Sequence, residues 1–223
     1  MILAIGEWAL STACAQLKKW DVDGRYNLSV AVNLSARQFH QQNIIQLVKS
    51  VLNETGLNPE CLEIELTEST LMQRGEVVDR TLQQLKSIGV KLSLDDFGVG
   101  YSSLSYVKRL PIDTLKIDKS FIDDITHSTT DAAIVKVILD MARALKVRTV
   151  AEGVETQGQV DFLLANNCNA IQGYYFSHPL SVDELTALLQ AGKALPVENW
   201  ITGTKEKHSK WATRRSKADL VPK

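Results

Sequence analysis

Short apolar runs and longer amphipathic stretches alternate along the chain. Six runs have the period-two pattern and the β-branched content typical of strands; they span 28–34, 61–67, 90–95, 114–118, 147–152 and 170–174. Stretches with apolar residues at helical spacing lie around and between them, at 6–20, 44–53, 77–88, 130–145, 157–166 and 182–189. The apolar stripes on these helices are expected to make core contacts. Thr130 and Asp131 are expected to cap the fourth of them.

This alternation predicts a parallel β-sheet covered by helices. The strand–helix unit repeats roughly every 30 residues, which is the length of a βα unit. No glycine-rich dinucleotide-binding sequence follows the first strand, so a TIM-type (β/α) barrel is favoured over a Rossmann sheet. Because six strands are predicted and a complete barrel has eight, the barrel is expected to be incomplete.

Composition fits a globular domain. The chain has 223 residues, of which 44% are hydrophobic and 23% are charged, as in ordinary soluble proteins. No apolar run reaches the roughly 20 residues of a membrane span, so none is expected. The three cysteines, Cys14, Cys61 and Cys168, are widely scattered. Their number and spacing argue against a disulfide framework or a zinc site and favour the reducing cytoplasm.

Charge is distributed unevenly along the chain. From Gly203 onward there are seven basic and two acidic residues, which gives that segment +5 and leaves −6 on the rest of a chain whose net charge is −1. We therefore expect a barrel domain over residues 1–195 and a basic, flexible tail over 196–223. The acidic body argues against specific nucleic-acid binding.

Polar residues stand where the predicted strands end. In a β/α barrel, functional groups gather at the carboxyl ends of the strands. These positions are held by Asn33, Glu65, Asp95, Asp96, Lys116, Glu152 and Gln172. A single carboxylate at such a position is often a helix cap or an ion-pair partner. Polar residues at the ends of six strands predict a shared site.

Asp95 and Asp96 are the most informative local feature. Adjacent carboxylates repel each other, so they favour a cation or a proton between them. Together with Asn33 and Glu65 they form an oxygen-only ligand set, which suits Mg²⁺ or Mn²⁺ better than zinc or copper. Two such ions about 3.5–4 Å apart can clamp a phosphate oxygen. The alternative is that Asp95 caps the next segment.

Lys116 and Glu152 are the candidate catalytic residues. A lysine in a metal site can orient attacking water or neutralise charge that develops on a phosphate, whereas its alternative role is an ion pair with Asp118 or Glu152. Glu152 can serve as a metal ligand or as a general base. The four histidines share no spacing that would make them ligands.

Taken together, the motifs resemble those of EAL domains. The resemblance rests on segments that follow one another in family order between about residues 5 and 189, at 33–35, 65–69, 95–104, 116–121, 151–156 and 172–174. It implies a modified TIM barrel that hydrolyses cyclic di-GMP to linear pGpG with Mg²⁺ or Mn²⁺.

The resemblance also implies individual roles. Asn33, Glu65, Asp95 and Asp96 match metal ligands, Lys116 matches the lysine that holds the catalytic water, and Glu152 matches the glutamate at the metal site. Gln172 matches a polar group near the second metal and its water. Glu68 matches the glutamate that steadies the loop after Asp96, through which dimerisation is linked to activity.

One element of the family pattern has no counterpart in these 223 residues. Family members begin with two strands and a helix, and the second strand carries a Glu-Ala-Leu signature whose glutamate is a metal ligand. We therefore expect a chain truncated at its N-terminus. Three hypotheses remain: a cyclic di-GMP phosphodiesterase of reduced activity, a cyclic di-GMP receptor or protein-interaction module without catalysis, and a homodimer that associates through the open barrel edge.

Overall fold

Six parallel strands form one sheet among the residues that the structure describes. The computed structural model describes residues 2–21, 28–40, 43–71, 76–100 and 104–192. The strands are β1 (Val30–Asn33), β2 (Leu62–Thr67), β3 (Lys91–Phe97), β4 (Thr114–Ile117), β5 (Arg148–Ala151) and β6 (Ala170–Ile171). They pair in chain order, and every pair is parallel. The predicted incomplete barrel of parallel strands is confirmed.

Helices separate the strands, as the amphipathic stretches predict. The described helices are α1 (Ile2–Trp20), α2 (Ala36–Phe39), α3 (Ile44–Thr55), α4 (Glu68–Leu71), α5 (Glu76–Ile88), α6 (Leu104–Val107), α7 (Lys119–Ile122), α8 (Thr129–Leu145), α9 (Gln157–Ala165) and α10 (Val182–Gln190). The six long predicted helices correspond to α1, α3, α5, α8, α9 and α10. Short helices also follow several strand ends, where the sequence analysis predicts no element.

The start of α8 differs from the prediction. Ser128 is the N-cap, and its hydroxyl accepts a hydrogen bond from the backbone N–H of Asp131. Thr130 and Asp131 lie inside the first turn. Asp131 there complements the positive end of the helix dipole, so it stabilises the helix start without capping it.

Apolar residues on one face of the central strands form much of the core. Leu62, Ile64 and Leu66 of β2 are buried, and so are Leu115 and Ile117 of β4. The opposite face of β4, with Thr114 and Lys116, is buried as well. Strands buried on both faces are typical of parallel sheets covered by helices. The first and last described helices are also joined, because Trp20 Nε1 donates to Thr186 Oγ1 at 2.9 Å.

The basic segment 196–223 lies outside the described residues. Among the described helices, none combines the length and the apolar character that crossing a bilayer requires.

Gly173 is required by a close backbone approach beside β6. A Cβ atom at this position would overlap the backbone nitrogen and oxygen of Val154, and backbone atoms cannot rotate away as side chains do. We expect Gly173→Ala to lower the free energy of unfolding by about 1–3 kcal/mol, measured by urea denaturation.

Gly158→Ala is the matched control for this prediction. Gly158 lies in the first turn of α9, and its nearest neighbour is the Thr126 methyl group at 3.2 Å. Alanine is the better helix former by about 1 kcal/mol, so this variant should be near wild-type stability or slightly more stable. Equal stabilities for the two variants would contradict the close approach at Gly173.

Candidate functional site

The sheet register brings the candidate residues to one edge. Asn33 of β1 is level with Glu65 of β2, and Thr67 of β2 is level with Asp95 of β3. The register between β3 and β4 shifts between Leu94 and Phe97. Asp95 and Asp96 lie within this irregularity, and Asp96 has a positive φ of 55°. The two adjacent aspartates therefore depart from the simple alternation of a regular strand.

A buried lysine lies at the centre of the site. Lys116 is 4% exposed, and its Nζ lies 2.8 Å from Glu65 Oε2, 3.3 Å from Asp95 Oδ1 and 2.7 Å from Glu152 Oε1. Three carboxylates from three other strands or strand ends thus surround one ammonium group. Of the two ion pairs weighed for Lys116 from the sequence, the structure has the one with Glu152. Asp118 instead accepts a hydrogen bond from the backbone N–H of Ser120 at the start of α7.

These contacts set the protonation of the lysine. Burial favours the neutral amine, but the hydrogen bonds from Lys116 to Glu152 and Glu65 outweigh burial and raise the lysine pKa. Lys116 is therefore a protonated hydrogen-bond donor across the physiological pH range.

Two carboxyl groups at the site have raised pKa values. For Glu152, burial raises the pKa more than the hydrogen bond from Lys116 lowers it, and the charges of Asp95 and Glu65 raise it further. For Asp96, partial burial and the neighbouring charges of Asp95 and Asp118 raise the pKa. Both groups therefore take up a proton more readily than ordinary carboxylates.

Asp95, Asp96 and Glu152 form a group that can hold a cation. One carboxylate oxygen from each lies within 4.8 Å of the others. An all-oxygen, anionic set of this kind suits a hard divalent cation, so the residues fit the magnesium or manganese that the motifs imply. Glu65 lies outside this group and contacts the other side of the Lys116 ammonium.

Asn33 is the last residue of β1 and Gln172 directly follows β6, and these are the two outer strands of the described sheet. Both side chains are exposed, and neither makes a hydrogen bond to another described residue. The backbone of Gln172 is fixed, since its N–H donates to Ala151 O and its carbonyl accepts from Val154 N. The structure therefore places both amides at strand ends with free polar groups, while their roles as ligands stay predictions.

Glu68 contacts the loop after β3, as the family motif implies. This first residue of α4 is 3% exposed, and its Oε2 accepts hydrogen bonds from Gly98 N and Gly100 N, each at 3.3 Å. Its Oε1 is buried without a hydrogen-bond partner among the described residues. The contact with the loop is observed, and its link to dimerisation stays a prediction.

Gln159 has no predicted role in the site. Its buried side chain hydrogen-bonds to two separate backbone segments, one at Glu155 and one at the end of α7. A signal was available, because Thr156 and Gln159 have the spacing of a capping box, and the structure contains that box at the start of α9. The second set of hydrogen bonds, to a different segment, has no signature in the sequence.

Lys116→Met tests the electrostatic role of the lysine. The variant keeps the aliphatic volume but leaves Glu65, Asp95 and Glu152 near one another without their shared cation. Breaking a buried ion pair on one side typically costs about 3–5 kcal/mol, so we expect a loss of that order in the free energy of unfolding from urea denaturation.

Lys119→Met is the matched control for Lys116→Met. Lys119 pairs with Glu155 at 2.6 Å, but both side chains are nearly half exposed, and exposed pairs contribute little. Its replacement should leave stability almost unchanged. If Lys116→Met is as stable as Lys119→Met, the buried lysine does not balance the carboxylates.

Comparison with known proteins gives one consistent family. The model of the EAL domain family matches residues 1–179. The chain is 44% identical over 187 residues to the bifunctional diguanylate cyclase/cyclic di-GMP phosphodiesterase MucR of Pseudomonas aeruginosa, covering 84% of this chain and 27% of that protein. It is 39% identical over 180 residues to the cyclic di-GMP phosphodiesterase PdeR of Escherichia coli, covering 81% and 27%. The chain thus spans about a quarter of the length of these curated relatives.

Solved structures agree with the sequence relatives. The PaMucR phosphodiesterase in its c-di-GMP complex superposes with a TM-score of 0.79 at 44% identity, covering 82% of this chain and 74% of that one. Klebsiella pneumoniae BlrP1 in its manganese/cy-diGMP complex gives a TM-score of 0.72 at 30% identity, covering 79% and 45%. On the family match, the sequence relatives and the shared fold, the chain belongs to the EAL domain family.

Proposed function

We propose that this chain binds cyclic di-GMP and hydrolyses one of its phosphodiester bonds with Mg²⁺ or Mn²⁺. The observation that carries the proposal is the buried Lys116 ammonium among carboxylates from neighbouring strand ends. MucR and PdeR are named as cyclic di-GMP phosphodiesterases, and the BlrP1 structure is described as a manganese/cy-diGMP complex.

The proposed metal ligands are oxygen atoms at the carboxyl edge of the sheet. Asp95, Asp96 and Glu152 form the group that can jointly hold a cation, and we assign Glu65 and Asn33 as further ligands on the strands beside it. When bound, divalent ions supply positive charge for the phosphate oxygens and make water a stronger nucleophile.

Lys116 and Glu152 have complementary proposed roles in proton handling. The raised pKa of Lys116 keeps its ammonium group protonated. This group can therefore hold a water molecule by donating a hydrogen bond to the water oxygen. The pKa of Glu152 is raised by burial, which brings this carboxylate closer to the pKa range of an effective general base.

The proposed reaction is the hydrolysis of one of the two phosphodiester linkages. The water oxygen forms a new bond to phosphorus while the bond from phosphorus to the ribose 3′-oxygen breaks. The water proton passes to the base, and the departing 3′-oxygen gains a proton. The product is linear pGpG with one terminal 5′-phosphate and one free 3′-hydroxyl.

Two other residues are proposed to shape the site. Gln172 has an exposed amide on a fixed backbone, so we assign it to the second ion and its water. Glu68 holds Gly98 and Gly100 in the loop directly after Asp96, so we assign it to keeping Asp96 in place.

Turnover of cyclic di-GMP tests the proposal directly. We expect the chain with Mn²⁺ to form pGpG, detected by liquid chromatography, and to lose this activity on chelation. Glu65 contacts Lys116 and is itself a proposed metal ligand. Because Glu65→Ala removes this carboxylate, turnover should fall by about 100-fold or more.

The matched control replaces an exposed glutamate that is not one of the candidate site residues. Glu76 lies in the first turn of α5 and is largely exposed in an ion pair with Arg80, so Glu76→Ala should retain wild-type turnover. Equal activity of Glu65→Ala and Glu76→Ala would contradict the proposed site.

A second candidate function is binding of cyclic di-GMP without hydrolysis. It uses the same buried Lys116 and surrounding carboxylates and differs from the phosphodiesterase only in the absence of turnover. Calorimetric binding of cyclic di-GMP without release of pGpG would favour this receptor function. A flat titration would contradict both functions.

We also propose that copies of the chain associate through the sheet edges. Within the described residues the sheet ends at β1 and β6, and exposed strand edges readily pair with other strands. Trp8 is 67% exposed and lines an apolar groove beside Val30 and Ala31 of β1. Burying this groove would add an apolar contact to edge pairing.

Sedimentation velocity tests this association. The sedimentation coefficient should rise with protein concentration as dimers form, and Trp8→Lys should shift the equilibrium towards monomer because it places a charge in the apolar groove. Lys18→Met on α1 serves as the control on a polar, partly exposed position. A monomer at every concentration would contradict association through this edge.

The proposed place of action is the cytoplasm. Cys14 and Cys168 are buried free thiols and Cys61 is a half-buried free thiol, and burial raises the pKa of Cys14 to about 11. Free, unreactive cysteines favour a reducing compartment.

A further inference from the structure

Gln159 is a buried amide with hydrogen bonds on both of its ends. Its side chain is 4% exposed and lies in the first turn of α9. The carbonyl oxygen Oε1 accepts from Glu155 N at 2.8 Å and from Thr156 N at 2.9 Å. The amide nitrogen Nε2 donates to Ile122 O at 3.0 Å and Asp123 O at 3.3 Å. One side chain thus joins two separate segments of backbone.

These two segments follow the strands that end at the paired residues of the candidate site. The first segment follows β5 and begins with Glu152. The second is the end of α7, a single-turn helix that follows β4 and therefore Lys116. Lys116 Nζ and Glu152 Oε1 lie 2.7 Å apart, so Gln159 joins the two backbone segments that follow the residues of this ion pair.

The other described contacts of the segment after β5 are either weaker than the Gln159 hydrogen bonds or hold a different part of it. Lys119 and Glu155 also connect them, but this ion pair is nearly half exposed and contributes little. Glu152 N donates to Ile117 O at 3.1 Å, which fixes only the beginning of the segment. Val154 N donates to Gln172 O, which holds the segment towards β6 and not towards β4.

Gly153 gives the segment a point of freedom. Its φ of +69° lies in the left-handed region, and its backbone packs against the Lys119 side chain. A glycine one residue after Glu152 loses more conformational freedom on ordering than any other residue type. Hydrogen bonds at Glu155 and Thr156 therefore matter for holding Glu152 in one orientation.

We propose that Gln159 is a positioning residue that holds Glu152 at its distance from Lys116 and within the carboxylate group of the metal site. The inference rests on the proposed function for the identity of that metal site. It assigns Gln159 no contact with substrate. Hydrogen-bonding residues behind a metal ligand typically change metal affinity or activity by about 10–100-fold when they are replaced.

Gln159→Glu separates the bridge from the helix cap. Its carboxylate can still accept from Glu155 N and Thr156 N, so the capping box of α9 is kept. In its ionised form it cannot donate to Ile122 O and Asp123 O, and its negative charge repels these two carbonyl groups. Gln159→Met, in contrast, removes the bridge together with the side-chain half of the capping box, while the Thr156 hydroxyl can still accept from the backbone N–H of residue 159.

Thr156→Ala is the complementary control. Its hydroxyl accepts a hydrogen bond from Gln159 N at the N-cap of α9, so the substitution weakens the cap and leaves the Gln159 side-chain bridge intact. A purely structural role of Gln159 in starting α9 predicts that Thr156→Ala is more damaging than Gln159→Glu. The positioning role predicts that Gln159→Glu weakens metal binding more than Thr156→Ala does.

Binding of Mn²⁺ alone, followed by electron paramagnetic resonance at fixed pH, provides the main measurement. We expect Gln159→Glu and Gln159→Met to raise the dissociation constant on the order of 10-fold, with Thr156→Ala within about twofold of the wild type. Wild-type affinity in Gln159→Glu, or an equal loss in Thr156→Ala, would overturn the proposal.

Amide hydrogen exchange of the wild-type chain covers the case in which the Gln159 variants do not fold. Coupling between two sites is reciprocal, so a bridge that fixes Glu152 for the metal should itself be stabilised by the metal. Mn²⁺ should then slow exchange at the amides of Glu155 and Thr156. Unchanged exchange at both amides in the presence of bound Mn²⁺ would overturn the proposal.

Turnover separates this inference from the proposed function. With cyclic di-GMP and saturating Mn²⁺, Gln159→Glu should lower kcat by about 10-fold and leave KM nearly unchanged. If the wild-type chain binds Mn²⁺ but releases no pGpG, the proposed phosphodiesterase activity is contradicted. The Mn²⁺-binding experiment would still test the positioning role of Gln159. A wild-type chain that binds no Mn²⁺ would overturn both.

Discussion

The ammonium group of Lys116 is the interaction on which the site depends. It is buried at the end of β4 and lies within 3.3 Å of carboxylate oxygens from Glu65, Asp95 and Glu152. Charges of one sign cannot be gathered in a poorly solvated place unless an opposite charge compensates them. Lys116 supplies that charge, and the parallel register of β2 to β5 fixes the distances over which it acts.

The same arrangement links the fold to the chemistry. The buried strands form the core, and the charged residues of the site lie at or near the carboxyl ends of the strands. There the pKa values of Glu152 and Asp96 are raised by burial and by neighbouring carboxylates, while that of Lys116 is raised by its hydrogen bonds despite burial. A group of carboxylates that repel one another but are held together by the sheet is prepared to bind a divalent cation.

The sequence predicts the positions of the site better than its contacts. Period-two runs locate all six strands, so polar residues such as Glu65 and Glu152 are correctly placed at strand ends. The sequence offers the ion pair of Lys116 with Glu152 as an alternative, but the contact of Lys116 with Asp95 lies at the register shift around Asp95 and Asp96, which no local pattern reveals. Likewise, the Ser128 cap and the Gln159 bridge depend on the exact residue at which a helix begins. The sequence pattern locates that residue only to within one or two positions.

Anomalous diffraction from a crystal of the chain with Mn²⁺ and cyclic di-GMP tests the central claim most directly. The account predicts manganese peaks bounded by Asp95, Asp96 and Glu152, beside Lys116, with a phosphate of the dinucleotide against them. Manganese peaks elsewhere, or a dinucleotide bound away from the carboxyl edge of the sheet, would contradict the assignment of these carboxylates to phosphodiester hydrolysis.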